Sequence, residues 1–363
     1  MYFSPGAIHM HTSFSDGSGS VDDLARAARD AGLRWIIITD HDTLAAKPRE
    51  GWLYDVLVIV GHEITPDRNH FLALNVDQVV DRTKPPQDFV DEVYARGGFG
   101  IIAHPDERVR NDFKDIYRWD DWAVDGPRER EGRPVGIELW NLMSDWGERL
   151  TRRNKELLFF FPRLGLSGPT PETLAWWDRL NMSGRRTFGI GGVDAHAFRR
   201  HAPWGTIEIF PYRWIFGTLT NYLLLPEPLD PDASRAVHQV YAALAAGRSY
   251  FVNRLDGDCP ELLFFCHSGP SAAPPSVPSV PSADRPSADR WSCGDTASLA
   301  AGPLTFVAEV PLDAELHLIH DGRILAKGLR ALRQTVVRPG VYRLEGYRRG
   351  RPWLYTNPVY VVE

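Results

Sequence analysis

Five times within its first 200 residues this chain enters a short apolar run and leaves it at a histidine or an acid. Ala7-Ile8 leads to His9-Met10-His11, and Trp35-Ile36-Ile37-Ile38-Thr39 to Asp40-His41-Asp42. Residues 56–60 lead to Gly61-His62-Glu63, residues 98–103 to His104-Pro105, and residues 187–191 to Asp194-Ala195-His196. A short, continuous apolar run is the pattern of a strand buried on both faces. Segments with helical spacing lie between the runs, at 21–31, 86–96, 171–181 and 234–246. Ser20 and Asp23 form a capping-box variant before the first of these, and Gly32 stops it. Further strands are expected at 71–76, with His70 at its start, at 135–140, carrying Glu138 and leading to Asn141, and at 205–210. Strand–helix alternation implies a parallel sheet, open or closed. A closed barrel gathers polar strand ends around one mouth, whereas an open sheet spreads them out. The expected fold class is therefore α/β, a distorted (β/α) barrel.

The pattern changes near Arg254. Residues 261–267 form a short strand, and alternating strands return at 304–310, 315–320, 334–337, 341–346 and 358–362. Asp321-Gly322 is a hairpin turn signal. These strands predict a small all-β sandwich. Between them, residues 268–292 are rich in Pro, Ser and Ala, a composition that builds no core and predicts a disordered loop. The expected division is a barrel over 1–253 and a β-sandwich over 254–363.

A net charge of -6 argues against a general nucleic-acid or membrane surface, though not against an anionic substrate. Cys259, Cys266 and Cys293 are odd in number and irregularly spaced, so no disulfide framework is expected. There is no signal-peptide pattern and no apolar run long enough to span a membrane, which predicts a cytoplasmic protein.

The chemistry is concentrated at the strand ends. Residues i and i+2 of a strand share a side, so His9 and His11 can aim two imidazoles at one point. Asp16, on the following loop, can add a carboxylate. Six histidines (His9, His11, His41, His70, His104, His196) and three acids (Asp16, Glu63, Asp194) recur in this way. Imidazole with carboxylate is the ligand set of zinc, manganese and iron. Burying so many polar groups in one barrel mouth without metal would be costly. His62 beside Glu63 is as readily structural as functional.

His9-x-His11-Thr12 with Ser15-Asp16-Gly17, then Thr39-Asp40-His41, Glu63, His104-Pro105 and Asp194-x-His196, resemble the ordered motifs of the polymerase and histidinol phosphatase (PHP) family. The resemblance covers about residues 1–250. It implies a distorted (β/α)7 barrel holding two to three divalent metal ions and, for most members, phosphoesterase activity. Carried over by motif, His9, His11, Glu63 and Asp194 would hold one ion. Glu63 would bridge to a second with His70 and His104, and Asp16, His41 and His196 would hold a third. Asp40 and Asp42 would orient His41 or its neighbours. Glu63, Asp194 and His196 are the residues expected at the catalytic centre. The ending Pro352-Trp353-Leu354-Tyr355-Thr356-Asn357-Pro358, with Gly136-Ile137-Glu138-Leu139-Trp140-Asn141, is similar to a carbaryl-hydrolase-like branch with a C-terminal β-domain.

Arg108, Arg199 and Arg200 follow the fourth and fifth histidine-bearing strands and suit bidentate phosphate contacts. With Asn141 they are the candidate substrate-binding residues; Arg110 and His201 are weaker ones. The expected partner is a small phosphorylated molecule. The reading with most support is a metal-dependent hydrolase acting on a phosphate mono- or diester. Its alternatives are a carboxylic ester or carbamate hydrolase using the same site, and a non-catalytic metal-stabilised binding module.

Overall fold

The computed structural model describes the chain except for residues 106, 114, 130, 203–204 and 269–289, and it describes residues 200–202 without their side chains. Nine strands precede Phe198: β1 (Tyr2–Met10), β2 (Trp35–Ile38), β3 (Gly51–Leu53), β4 (Val56–Val60), β5 (His62–Ile64), β6 (Phe71–Leu74), β7 (Phe99–Ile102), β8 (Val135–Asn141) and β9 (Phe188–Ala195). The apolar runs read from the sequence are the buried members of this set.

Register closes the sheet on itself. β1 is parallel to β2 and to β9, β2 to β4, β7 to β8, and β8 to β9. β4 and β5 are separated by Gly61 alone, and a side chain there would meet the Ala73 carbonyl at 2.5 Å. β5, β6 and β7 complete the ring as antiparallel neighbours. A bridge from His41 to Glu63 extends the β2 edge onto β5.

The ring departs from regular strand–helix alternation. Among the described residues, helix α1 (Val21–Asp30) connects β1 to β2, and α2 (Pro86–Ala95) connects β6 to β7. Helices α3 (Leu142–Glu148), α4 (Lys155–Phe160) and α5 (Pro171–Met182) lie between β8 and β9. The β5–β6 connection is a hairpin, because antiparallel neighbours need no crossover. The long β7–β8 connection carries no helix among its described residues. α1 starts as its sequence dictates: Ser20 Oγ accepts from the Asp23 amide at 3.2 Å, and Asp23 Oδ2 accepts from the Ser20 amide at 2.9 Å.

After the ring come the hairpin β10 (Phe198–Ala202) and β11 (Gly205–Ile209), the short helix α6 (Tyr212–Ile215), β12 (Leu219–Leu225), helix α7 (Ala233–Ala245) and β13 (Ser249–Asn253). β12 lies antiparallel to the first half of β1 and to β13. Neither β12 nor β13 is anticipated by the histidine-bearing pattern, since neither ends in a candidate ligand.

The remainder is β-rich: β14 (Leu263–Ser268), β15 (Arg290–Trp291), β16 (Thr296–Ser298), β17 (Leu304–Glu309), β18 (Glu315–His320), β19 (Arg323–Leu329), β20 (Ala331–Val336), β21 (Gly340–Arg348), β22 (Arg351–Thr356) and β23 (Val359–Val362). β18 and β19 meet at the Asp321-Gly322 turn, where both residues have positive φ (48° and 75°). Most of the Pro/Ser/Ala-rich stretch lies outside the described residues. Its ends differ from the expected loop: Ser268 closes β14, and Arg290–Trp291 pairs with β14.

Two apolar cores result. One fills the ring and its helices; the other lies within the C-terminal strands. β12 and β13 serve both by alternation. Leu219, Leu223 and Phe251 face the first core, while Tyr222, Leu224, Tyr250 and Val252 face the second. β13 also pairs with β22, so the hydrogen-bonded sheet continues from one region into the other. Among the described residues no helix is long and apolar enough to cross a membrane.

Candidate metal centre

All nine candidate ligands converge at one end of the ring. His9, in β1, and His11, one residue past its end, have ring centroids 5.3 Å apart. β1 shifts register against β9 around His9, and His9 itself has φ 71°. His104 (φ 29°) and Asp194 (φ 51°) also adopt positive φ at the ends of their strands. L-residues carry such backbone at a cost, and it clusters where a side chain must be aimed.

Glu63 lies at the middle of the cluster and is fully buried. Its Oε1 is 2.9 Å from His70 Nδ1 and 3.1 Å from His104 Nε2. Its Oε2 is 3.0 Å from His41 Nδ1, 3.3 Å from His9 Nε2 and 3.6 Å from His11 Nε2. Asp194 Oδ1 approaches His9 Nε2 at 3.4 Å and His11 Nε2 at 3.3 Å. Asp16 Oδ1 lies 3.2 Å from His196 Nε2, 3.5 Å from His41 Nε2 and 3.9 Å from His11 Nδ1. Three overlapping groups could hold an ion, with one donor atom per residue and all donors within 4.8 Å of one another. They are His11, Asp16, His41 and His196; His9, Glu63 and His104; and His9, His11 and Asp194. His70 belongs to none of the three, although its Nδ1 touches Glu63.

The surrounding hydrogen bonds select which nitrogen faces inward. His9 Nδ1–H donates to Glu138 Oε1 at 2.7 Å, leaving Nε2 toward Glu63 and Asp194. His196 Nδ1–H donates to the Asp194 carbonyl at 2.9 Å, leaving Nε2 toward Asp16. His70 Nε2–H donates to the Pro66 carbonyl at 2.9 Å, leaving Nδ1 toward Glu63. Such outer partners fix the tautomer of a ligating imidazole.

The inward atoms test the fit of a cation. His9 Nε2, both ring nitrogens of His11, His41 Nδ1 and Glu63 Oε2 are buried and have no hydrogen-bond partner among the described residues. Buried polar atoms left this way are costly. Their lone pairs converge, and a divalent cation is the group that such a donor set satisfies.

The charges are tightly coupled. Burial opposes ionisation of Glu63, but His9, His70, His104 and His41 hold its carboxyl well below the usual range. Asp194 is lowered against burial by His9, His11 and His196. Burial pushes the His11 imidazole down to about 3, helped by His196 and His41. His41, also opposed by burial, is raised to about 10 by Asp16 and Glu63.

Other candidates fall elsewhere. Asp40 accepts from the Thr12 amide (2.6 Å), Thr12 Oγ1 (2.7 Å) and Ser15 Oγ (2.7 Å), so it shapes the turn that carries Asp16 rather than orienting His41. Asp42 accepts from the Thr65 amide and hydroxyl and from Arg82, also away from His41. His62 points opposite to Glu63, as neighbours on a strand must. Its Nε2 accepts the Val80 amide at 3.3 Å, and burial lowers it to about 4. Asn141 donates to Glu138 Oε2 (3.0 Å) and Asp194 Oδ2 (3.3 Å) and caps α3, so its amide is committed to the cluster. Arg108 pairs with Glu172 at 2.7 Å, Arg110 with Asp115 at 2.7 Å, and Arg199 with Glu208 at 3.4 Å. The side chains of Arg200 and His201 lie outside the described residues.

Two contributors carry no ligand motif. Glu138, fully buried on β8, orients His9 and accepts the His104 amide at 2.7 Å. Its signals in the sequence are an acid inside an otherwise apolar strand and its place in the Gly136–Asn141 segment. The Tyr212 hydroxyl accepts from the Ser18 (3.1 Å) and Gly19 (3.3 Å) amides and lies 2.8 and 2.9 Å from the carbonyls of His11 and His196. No sequence pattern marks it.

An uncharacterized protein of Methanocaldococcus jannaschii is 22% identical over 112 residues, spanning 27% of this chain and 66% of that relative's length. Among solved structures, the chain is similar to a two-domain Bacteroides vulgatus protein containing a predicted PHP-like metal-dependent phosphoesterase. That similarity has 15% identity, 98% and 95% coverage of the two chains, and a TM-score of 0.43. It is also similar to an amidohydrolase from Chromobacterium violaceum with bound sulfate and no metal, at 15% identity, 57% and 92% coverage and a TM-score of 0.29. Residues 7–93, which hold His9, His11, Asp16, His41, Glu63 and His70, match the PHP domain family model.

Proposed function

We propose that this chain is a metal-dependent hydrolase acting on a small-molecule ester, with a phosphate mono- or diester as the leading substrate class. The observation that carries the reading is the set of buried imidazole and carboxylate atoms that converge without hydrogen-bond partners. His9, His11, Asp16, His41, Glu63, His104, Asp194 and His196 would hold two to three divalent ions, zinc, manganese or iron, with His70 at the Glu63 edge. Bound there, such ions acidify a coordinated water to near neutral pH and offset charge on a phosphoryl oxygen. Glu63 presents one oxygen to His70 and His104 and the other to His9, His11 and His41, the disposition of a bridging carboxylate. Glu138, the Asp194 carbonyl and the Pro66 carbonyl hold three imidazoles in the tautomers that face inward. Asp194 and His196 flank the same space and complete the expected catalytic centre with Glu63.

Hydrolysis of a carboxylic ester or carbamate, as in the carbaryl-hydrolase-like branch, is the second reading. It is favoured by the pairing of Arg108 and Arg199 with acids, which leaves less cationic surface for a phosphate. The test is metal content by plasma mass spectrometry together with hydrolysis of p-nitrophenyl phosphate and p-nitrophenyl acetate, on wild type and Glu63→Ala. Two to three metals and a phosphatase activity lost in the variant support the leading reading. Acetate hydrolysis alone, equally lost, moves the assignment to carboxylic esters. No metal and no turnover after addition of zinc, manganese or iron leaves a binding module.

A further inference from the structure

Two exposed aromatic rings lie directly against the candidate ligands. Tyr117 stacks on His70 with centroids 5.2 Å apart and planes 24° apart. Phe198 stacks on His196 at 4.7 Å and 13°. His41 neighbours both histidines, 6.3 Å from the His70 ring and 6.0 Å from the His196 ring. The open edge of the cluster is the same place. The His41 side chain is 28% exposed and Asp16 49%, whereas His9, His11 and Glu63 are fully buried. The two rings therefore flank the side from which a substrate reaches the centre.

Core packing does not account for them. Tyr117 is 43% exposed and Phe198 39%. Each is nevertheless held in place. The Tyr117 amide donates to the buried Glu107 carboxylate at 2.7 Å, and Phe198 opens β10, paired with Ile209 of β11. Three arginines that follow His104 and His196 in the chain, Arg108, Arg110 and Arg199, are each paired with an acid. Rigid rings with one free face bind flat apolar groups by stacking and edge contacts.

We propose that Tyr117 and Phe198 are specificity-determining walls, and that the substrate carries an aromatic group on the side of the scissile bond facing the mouth. This rests on the metal-hydrolase reading for the position of the reacting centre, but its test does not require turnover. Phenylphosphonate and methylphosphonate present the same anion with and without a ring. Their dissociation constants would be measured by calorimetry on the metal-loaded protein, in wild type, Tyr117→Ala and Phe198→Ala. Metal content and thermal midpoint report on the integrity of each variant. Phenylphosphonate should bind wild type about tenfold or more tightly than methylphosphonate, and each variant should lose about threefold to tenfold of that preference. Equal affinities in wild type, no binding of either probe, or a preference retained in both variants would overturn the proposal. Turnover is scored separately with benzyl and ethyl phosphate, whose leaving alcohols are alike. Absence of turnover with a ring preference in binding removes the phosphoesterase reading and leaves the aromatic walls standing.

Discussion

Glu138 holds two strand ends at once: one carboxylate oxygen takes the His9 imidazole N–H and the other takes the backbone amide of His104, each at 2.7 Å. A neutral amide in its place keeps the shape but cannot accept on both arms. Glu138→Gln is expected to lower metal affinity about 10- to 100-fold while the fold persists. Titration with a fluorescent zinc indicator reads this directly, and unchanged affinity would remove Glu138 from the site. Gly192→Ala should act through the same residue, because a Cβ there would lie 1.5 Å from Glu138 Oε1.

Tyr212 ties the Asp16 turn to the strand ends of His11 and His196 through one hydroxyl. Burial pushes its phenol up to about 12, so it remains a neutral donor and acceptor. Tyr212→Phe takes this hydroxyl from the Gly19 amide and the His11 carbonyl, while the Ser18 amide keeps the His196 carbonyl at 2.9 Å, and should cost about 1–3 kcal/mol. Weaker binding is expected at the Asp16, His41 and His196 group and not at the Glu63 group. Metal stoichiometry at limiting zinc distinguishes this from general destabilisation, which would weaken both groups together.

Metal uptake should release protons. Without metal, His41 is raised to about 10, and His9, His104 and His196 are raised by the carboxylates they face. An imidazolium cannot ligate, so each proton must leave when an ion binds. Apparent affinity should therefore rise with pH through the neutral range, and calorimetry in buffers of different ionisation enthalpy should detect the released protons. The metal-free chain should show the opposite trend in stability. A group raised from about 6.5 in the unfolded chain contributes fully below that pH and loses its contribution as pH climbs toward 10. A melting temperature of the metal-free protein that is flat between pH 6.5 and 10 would contradict these assignments.

A buried ion pair joins helix α5 to the C-terminal strands. Arg343 Nε and Nη2 donate to Asp178 at 2.9 Å each, Arg343 also pairs with Glu345, and its guanidinium lies 5.0 Å over the Trp177 ring. Asp178→Ala leaves the guanidinium buried with half its partners, and a loss of about 3–5 kcal/mol is expected in urea unfolding. Because the pair lies apart from the histidine cluster, metal stoichiometry of the folded variant should match wild type.

The site was more legible than the fold around it. Histidines at the ends of apolar runs are a local signal, and His9, His11, His41, His104 and His196 all meet where those runs end. Glu138 stood out as an acid in an apolar strand within the Gly136–Asn141 segment, but its role in orienting His9, 129 residues away, was not legible. Tyr212 left no trace, since its hydroxyl serves backbone groups that no motif records. Pairing partners are equally invisible in a linear motif: sequence shows that Arg108 follows His104, but not that Glu172 is there to pair with it. Strand–helix alternation implied a parallel sheet, and the antiparallel β5–β6 and β6–β7 pairings depart from it because direction of pairing is a tertiary property. β12 and β13 do not end in a histidine or an acid, and nothing local said that their two faces would serve different cores.

Those two strands form a wall with no outside. Leu223 and Leu224 are sequence neighbours, yet each answers to a different interior. A chain ended after Asn253 would turn Tyr222, Leu224, Tyr250 and Val252 toward water, at about 25 cal/mol for each Å² of apolar surface exposed. The two halves are thus not beads on a string that could be traded separately among related chains. A change on either face of this wall must be accommodated on both sides of it, and the ring that carries the histidine cluster and the β-rich region are bound to drift together.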